Sequence, residues 1–510
     1  MLARIPSLAI VGVDAVAVSV EVDVTELPGD APSTYSIVGL GDAAIKEARE
    51  RLRSALKNSG VGLFQKRVTI NLAPADLRKE GSHLDLPMAL GALVATGRLK
   101  SQAPFAAAGE LGLDGTIQRL HGALPIAAGA RAEGIPRILL PAENAAEAAC
   151  VEGIEIIPVA TLREAVDFLN GQSVIAPARP EMAVFGDEEI RDDLEDVKGQ
   201  EGAKRALEIA AAGSHNLLFL GPPGSGKTML ARRLPGILPP LGFEEALEAS
   251  KIHSIAGALP PKSGLLRARP FRAPHHTASP VSLIGGGPVP RPGEVSLAHH
   301  GVLFLDELPE FSRTTLEVLR QPLEDGVVQV ARAAMSVAFP ARIVLVAAMN
   351  PCPCGLAGHP SRACVCSPVA VQKYLSRISG PLLDRIDMHV EVPAVPLEQL
   401  RERRAAEGSG AVRARVLAAR ERQRERFRGR AGIHANGHMS AKELNEFCHL
   451  EPAAQKLLET AIQRLNLSAR AYDRLRKLAR TIADLAASDT ISPSHVSEAV
   501  QYRSLDRLGV

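Results

Sequence analysis

Asn216-Leu217-Leu218-Phe219-Leu220-Gly221-Pro222-Pro223-Gly224-Ser225-Gly226-Lys227-Thr228 decides how the centre of this chain folds. The first five residues are apolar enough for a buried strand, and the next eight match G-x-x-x-x-G-K-[ST]. A strand that runs into such a loop and then a helix is the setting in which the pattern binds phosphate. The glycines let backbone N–H groups close around the anion. Lys227 reaches the β and γ oxygens of a nucleotide, and Thr228 can hold Mg²⁺. Gly221, Pro222, Pro223, Gly224, Ser225, Gly226, Lys227 and Thr228 are therefore assigned to ATP.

The rest of a hydrolytic site follows downstream. Gly301-Val302-Leu303-Phe304-Leu305 reads as a buried parallel strand and ends in Asp306-Glu307. Asp306 at that edge holds Mg²⁺ through water, and Glu307 polarises the attacking water. A third apolar run, Ile343 to Met349, ends in Asn350, whose amide can orient the same water. The pattern predicts an ATPase, not a passive nucleotide binder.

At 510 residues the chain has room for about three or four domains. Its net charge is only +2, so any nucleic-acid surface must be a local patch. Trp is absent and aromatics make up 3%, which weighs against single-strand binding by base stacking. Backbone tracking on DNA needs only Lys, Arg and N–H donors, and stays open. No run of 18 apolar residues occurs, so no membrane span is expected. Met1-Leu2-Ala3-Arg4-Ile5-Pro6 lacks the apolar core of a signal peptide, which makes the cytoplasm the expected location.

Cys352, Cys354, Cys364 and Cys366 form C-x-C-x9-C-x-C, with His359 inside. In a reducing compartment this is either a closed four-thiolate site for structural Zn²⁺ or a loop of unligated, redox-active thiols. The C-x-C spacing is tighter than the usual C-x2-C. Cys150 and Cys448 stand alone and read as plain buried thiols.

The expected fold class is α/β. Residues 1–172 mix strands, such as Val18–Val24 and Arg67–Leu72, with a helix over 43–58. Residues 173–197 are an acidic linker whose charges read as solvated. Residues 198–395 are the P-loop core, with two inserts and the cysteine loop 352–366. A Gly/Pro-rich insert, 257–293, carries Arg267, Arg269, Arg272, His275, His276 and Gly285-Gly286-Gly287. A second insert, about 324–341, reads as a hairpin. Residues 396–510 are helical. Within them Arg413, Arg415, Arg420, Arg422, Arg424, Arg426, Arg428 and Arg430 form either a solvated helix with i,i+4 pairs or a phosphate-contacting arm.

Together these motifs resemble the ComM/YifB family of magnesium-chelatase-like AAA+ ATPases, over nearly the whole chain. The resemblance implies an AAA+ core, a C-terminal helical lid and a hexameric ring that moves on DNA. The implied task is branch migration in homologous recombination and natural transformation. Arg377-Ile378-Ser379-Gly380-Pro381-Leu382-Leu383-Asp384-Arg385-Ile386-Asp387 resembles the segment carrying the arginine finger, which assigns Arg385, with Arg377 second. Ser468-Ala469-Arg470 resembles the lid's second sensor, which assigns Arg470. The resemblance also places Arg332 and the 267–287 loop at pore-facing positions, among candidate substrate contacts.

Residues 76–87 resemble the Lon protease fold. The nucleophile position falls at His83, beside Ser82, and Arg119–Ile135 contains no lysine. Without a serine–lysine pair the unit is expected to be non-proteolytic. It would build the ring or bind DNA, similar to the domain of the recombination ATPase RadA, with Lys66, Arg78 and Lys79 either touching phosphate or standing as ordinary surface charges. Metal insertion and protein remodelling are the competing readings. The former lacks a D-x-S-x-S signature in this chain.

Overall fold

The computed structural model describes residues 2–28, 33–39, 43–63, 66–77, 79, 81–100, 103–180, 192–260, 263–287, 289–332, 335–359, 362–396, 407–430, 432–465 and 467–503. The alternating segment expected at 18–24 lies in β2 (Asp14–Glu26), which pairs antiparallel with β1 (Leu2–Val11). With β3 (Thr34–Val38) and β4 (Lys66–Ala73) these strands form a sheet of order β1-β2-β4-β3. Val18, Val20, Val22 and Val24 all turn inward, as the period of two requires. Val20, Val22 and Val24 pack with Leu52 and Leu56 of α1 (Ala43–Asn58) and Leu86 and Leu90 of α2 (Asp85–Ala95).

This apolar interior also holds a charge pair. Asp85 in the first turn of α2 is fully buried, and Arg51 of α1 reaches it through two hydrogen bonds, 2.7 and 3.1 Å. Burial pushes the Asp85 carboxyl up to about 6, against the pull of Arg51.

The centre of the chain builds a five-stranded sheet. Its strands are β5 (Leu217–Leu220), β6 (Phe271–Arg272), β7 (Val302–Leu305), β8 (Val344–Met349) and β9 (Met388–Glu391). The order is β6-β7-β8-β5-β9 and every pairing is parallel. Continuous apolar strands suit this arrangement because both faces are covered. Leu217 and Phe219 face α3 (Glu201–Gly213) and α4 (Lys227–Ile237), whereas Leu218 and Leu220 face the cluster of Phe339, Tyr374 and Leu382.

The C-terminal helices α5 (Ser409–Arg426), α6 (Ala469–Leu485) and α7 (Pro493–Gln501) share the first of these cores. A buried polar network adds to the join. His215 Nδ1–H donates to Asp387 (3.1 Å), and Arg474 of α6 pairs with the same carboxylate. Burial would raise the Asp387 carboxyl, but Arg474 and His215 hold it far below the usual carboxylate range.

The N-terminal unit is docked on the helix Phe243–Ala256. Ser254 Oγ donates to Glu147 (2.7 Å), Lys251 pairs with Asp14 (3.0 Å), and Leu241 and Ala246 join the cluster of Leu124 and Ile126. The hairpin expected near 327 pairs Val327–Arg332 with Met335–Pro340; the side chain of Arg332 lies outside the described residues.

Three expectations need correction. The acidic stretch is not all solvated: although 181–191 lie outside the described residues, Leu194 is buried and Asp193 Oδ1 accepts the Ser409 N–H at 2.8 Å. Arg233 also pairs with Asp196, at 3.1 Å. Lys79 is fully buried and donates to the Pro74 carbonyl, and Lys66 pairs with Glu26, so neither is a ready phosphate contact. Arg78 lies outside the described residues.

Removing Arg51 leaves the Asp85 charge alone in an apolar interior. Arg51→Ala should cost about 3 kcal/mol at pH 7. Arg51 opposes the burial that raises the Asp85 carboxyl, so its removal lets that carboxyl rise further above about 6; as pH falls toward that value a proton neutralises Asp85 in the folded variant and the penalty shrinks. Urea unfolding at pH 7 and pH 5 checks this, and an equal penalty at both would contradict it.

Candidate active site

The register of the parallel sheet assembles the site. Leu220 pairs with Met349, and Leu305 pairs with Ala347. The residues that follow these strands, Gly221, Asn350 and Asp306, therefore leave the same edge of the sheet. The loop after β5 turns at Gly224 (φ 76°) and Gly226 (φ 94°), which opens its N–H groups toward the start of α4. Gly221 has a second reason to lack a side chain: a Cβ there would stand 2.1 Å from the Val392 carbonyl.

Lys227 opens α4, and its side chain folds back into the loop. Its ammonium donates to Gly221 O (2.7 Å), Pro222 O (2.9 Å) and Asn350 Oδ1 (3.3 Å). Burial lowers its pKa, and Asp306 opposes that shift. Thr228 Oγ1 donates to Asp306 Oδ2 at 2.9 Å, so the hydroxyl and carboxylate that would share Mg²⁺ already touch. Asp306 Oδ1 accepts the Glu307 N–H at 2.9 Å. Glu307 itself has a left-handed backbone (φ 52°), uncommon for a non-glycine residue, and its half-exposed side chain meets His276 Nδ1 at 3.1 Å.

His276 is the residue whose place sequence reasoning missed. By sequence it falls in the insert among the candidate substrate contacts, but it touches the acidic residue of the site. Its position just beyond β6, the edge strand beside β7, was the available signal. Two other residues of the insert are already engaged. Arg269 donates to Pro239 O, His300 O and Glu245, and Arg272 forms a bidentate pair with Glu294 at 2.6 and 2.8 Å.

The cysteine loop stacks on this site. A Cβ at Gly355 would lie 2.7 Å from Pro223 Cδ and 3.8 Å from Asn350 Cγ. Sulfur separations are 3.4 Å for Cys352–Cys354 and 3.6 Å for both Cys352–Cys364 and Cys354–Cys364, and Cys366 completes the group within 4.8 Å. A tetrahedron with Zn–S bonds near 2.3 Å has edges of about 3.8 Å, so the four thiols fit a Zn²⁺ site. The Leu356 and Val365 N–H groups draw the Cys354 thiol down to about 6, whereas, against the pull of a backbone N–H on each, the neighbouring sulfurs push the Cys364 and Cys366 thiols up.

A second cluster with metal-ligating side chains does not fit a metal. Glu248, His299 and His300 converge, but the Arg342 N–H donates to His299 Nδ1 at 3.0 Å. His299 Nε2 then carries the ring's proton and donates to Glu248 (3.2 Å), leaving no lone pair for a cation.

Arg385 and Arg470 are not at the phosphate loop. They line a cleft of about 600 Å³ with Asn216, Ile343, Asp387 and Arg474. Asn216, Ile343 and Asp387 precede strands β5, β8 and β9, whereas the loop, Asn350 and Asp306 follow theirs. The strand length alone separates the two edges by about 13 Å. Arg385 is buried and donates to Arg320 O (3.1 Å), Pro381 O (2.8 Å) and Glu324; Arg470 is exposed. Arg377 is also solvent-facing and pairs with Glu310 at 3.0 Å.

In the N-terminal unit Ser82 donates to Glu110, and His83 Nε2 meets the Leu8 carbonyl at 3.0 Å. Lys79 points to Pro74 O instead. The geometry shows no serine–lysine hydrogen bond here among the described residues.

Comparison with known proteins matches three successive stretches to one family. Magnesium chelatase, subunit ChlI, matches residues 193–400; subunit ChlI of Mg-chelatase matches 20–144; and the ChlI C-terminal region matches 406–503. The chain is 44% identical to the uncharacterized protein YifB of Escherichia coli (strain K12), covering 98% of this chain and 96% of YifB. It is also 44% identical to the competence protein ComM of Haemophilus influenzae, covering 99% and 98%. A mycobacterial relative, Mb2921c of Mycobacterium bovis, is 41% identical over 98% of both chains. Full-length coverage at this identity, with a phosphate loop on an all-parallel sheet, places the chain in the ComM/YifB family of magnesium-chelatase-like AAA+ proteins.

Proposed function

We propose that the chain is an ATP-hydrolysing ring motor that acts on DNA, with branch migration of recombination intermediates as its task. The observation that carries the hydrolytic part is the contact of Thr228 with Asp306 at the sheet edge that also presents Lys227, Glu307 and Asn350. In this reading residues 221–228 hold ATP and Thr228 and Asp306 hold Mg²⁺, which supplies charge neutralisation at the phosphates. Glu307 orients and polarises the attacking water, and Asn350 fixes both Lys227 and that water. His276 gives the insert a direct path to Glu307.

The distribution of arginines supports a ring. Arg385 and Arg470 face away from their own phosphate loop, so each can meet only a neighbour's ATP. Six subunits, the number common in AAA+ rings, is the assembly we propose. The DNA part rests on the likeness to ComM, a competence protein by name. Phosphate contacts would make binding salt-dependent and nearly sequence-blind. We place the motor in the cytoplasm; among the described residues no helix is long and apolar enough to cross a membrane. The domain plan is a non-proteolytic Lon-like unit (1–172), a linker (173–197), the AAA+ core (198–395) and a helical lid segment (396–510). The second reading, metal insertion or protein remodelling, draws on the chelatase-subunit likeness of all three stretches.

Zn²⁺ held by Cys352, Cys354, Cys364 and Cys366 would brace the loop on Pro223 and Asn350. Elemental analysis should find one zinc per chain, lost in Cys354→Ser/Cys364→Ser together with several degrees of thermal stability. Purified protein with four freely titrating thiols at these positions and no metal would contradict the site.

A synthetic mobile four-way DNA junction tests the function. Wild type with ATP should resolve it, and Glu307→Gln should not, while still binding ATP. No resolution and no DNA-stimulated ATPase would move the weight to the second reading. ATP turnover unchanged in Glu307→Gln would overturn the catalytic assignment.

A further inference from the structure

A second cleft, of about 680 Å³, adjoins the one that holds Arg385 and lies at the same edge of the core sheet. Ser214, Gly301 and Ile343 form one side, and the C-terminal end of α5 with the segment after it forms the other. Six arginines line it: Arg269, Arg342, Arg420, Arg424, Arg428 and Arg430. Glu245 is the one lining carboxylate among the described residues.

An account of partners shows which charges are free. Arg269 consumes Glu245 at 2.8 Å. Arg424 pairs with Glu421 at 2.8 Å, and Arg430 with Glu443 and Glu446. Arg342, Arg420 and Arg428 have no carboxylate partner among the described residues. Arg342 meets His434 Nε2 at 3.1 Å, a neutral acceptor. Arg420 is held only by the carbonyls of Ala211 and His434. Burial and the nearby Arg269 charge pull its guanidinium down to about 9. The contrast with Arg426, two turns along the same helix, is direct: that side chain is fully answered by Asp484.

Crowding guanidinium groups around one cleft without matching counter-charge is unfavourable, and an anion seated among them offsets that repulsion. The concave shape and planar donors suit tetrahedral oxyanions in series, which arginine recognises through paired N–H groups. Leu238 and Ile433 add an apolar wall. We propose that this cleft is a binding site for a phosphate-rich anion, separate from the phosphate loop and bound through Arg342, Arg420 and Arg428. A nucleoside polyphosphate and a run of nucleic-acid phosphates share that chemistry. The site does not depend on the ATPase reading.

The full-length Lys227→Ala protein, with its phosphate loop disabled, is titrated calorimetrically with inorganic tripolyphosphate and separately with a single-stranded oligonucleotide. Arg428 is exposed, so Arg428→Glu should fold normally, which thermal unfolding checks. Adding Arg428→Glu should weaken a probe about tenfold or more, the scale of a lost charge-assisted hydrogen bond. Arg342→Gln should weaken the same probe. A response with tripolyphosphate identifies a small-anion site; a response with the oligonucleotide alone identifies a nucleic-acid site. Affinities for both probes that do not change with Arg428→Glu and Arg342→Gln, or no binding of either by the parent, would overturn the proposal.

Discussion

Everything at the proposed ATP site depends on the register of three neighbouring parallel strands. β5 and β8 end level and β7 ends two residues short of them, so the residues that follow all emerge at one edge. Hydrogen bonds between strands fix that level, and two apolar cores hold the sheet from either face. A slip of one residue in β8 would turn its buried side chains over and carry Asn350 away from Lys227. Lys227, Thr228, Asp306 and Asn350 are thus positioned by backbone pairing before any ligand arrives, which lowers the cost of ordering them around a nucleotide.

The same sheet sets the distance between the two halves of the proposed hydrolytic apparatus. Arg385 and Arg470 stand at the edge where strands begin, and the phosphate loop stands where they end. The C-terminal helices are locked to the starting edge by a shared core and by the His215–Asp387–Arg474 network. No rotation of a side chain closes a gap of about 13 Å. In this account hydrolysis is a property of the assembly, and the N-terminal unit, docked through Glu147 and Asp14, travels with each core.

Local pattern made much of this legible. The phosphate loop, the apolar strands ending in Asp306 and Asn350, and the alternation of β2 depend on residues close in sequence. What stayed illegible was set by contacts across long separations. Arg269 and Arg272 looked available for substrate, but Glu245 and Glu294 take them. Lys79 looked like a surface charge and is buried. By pattern alone the arginines of α5 suit either i,i+4 pairs or a phosphate arm. Most instead tie the helix to other elements, Arg415 to Glu208 and Arg426 to Asp484, and few remain uncommitted. The meeting of His276 with Glu307 depends on the path of a loop, which no periodicity encodes.

Mixing two inactive variants tests the central claim most directly. Lys227→Ala subunits keep their arginines but cannot hold ATP; Arg385→Ala subunits hold ATP but lack the proposed finger. If Arg385 acts on a neighbour's nucleotide, each variant alone should be inactive and the mixture should regain measurable ATPase activity. Arg385→Ala alone should fall about 1,000-fold, the scale of a lost arginine finger. A mixture no more active than its parts, from subunits shown to co-assemble, would contradict the account, as would normal turnover by Arg385→Ala alone.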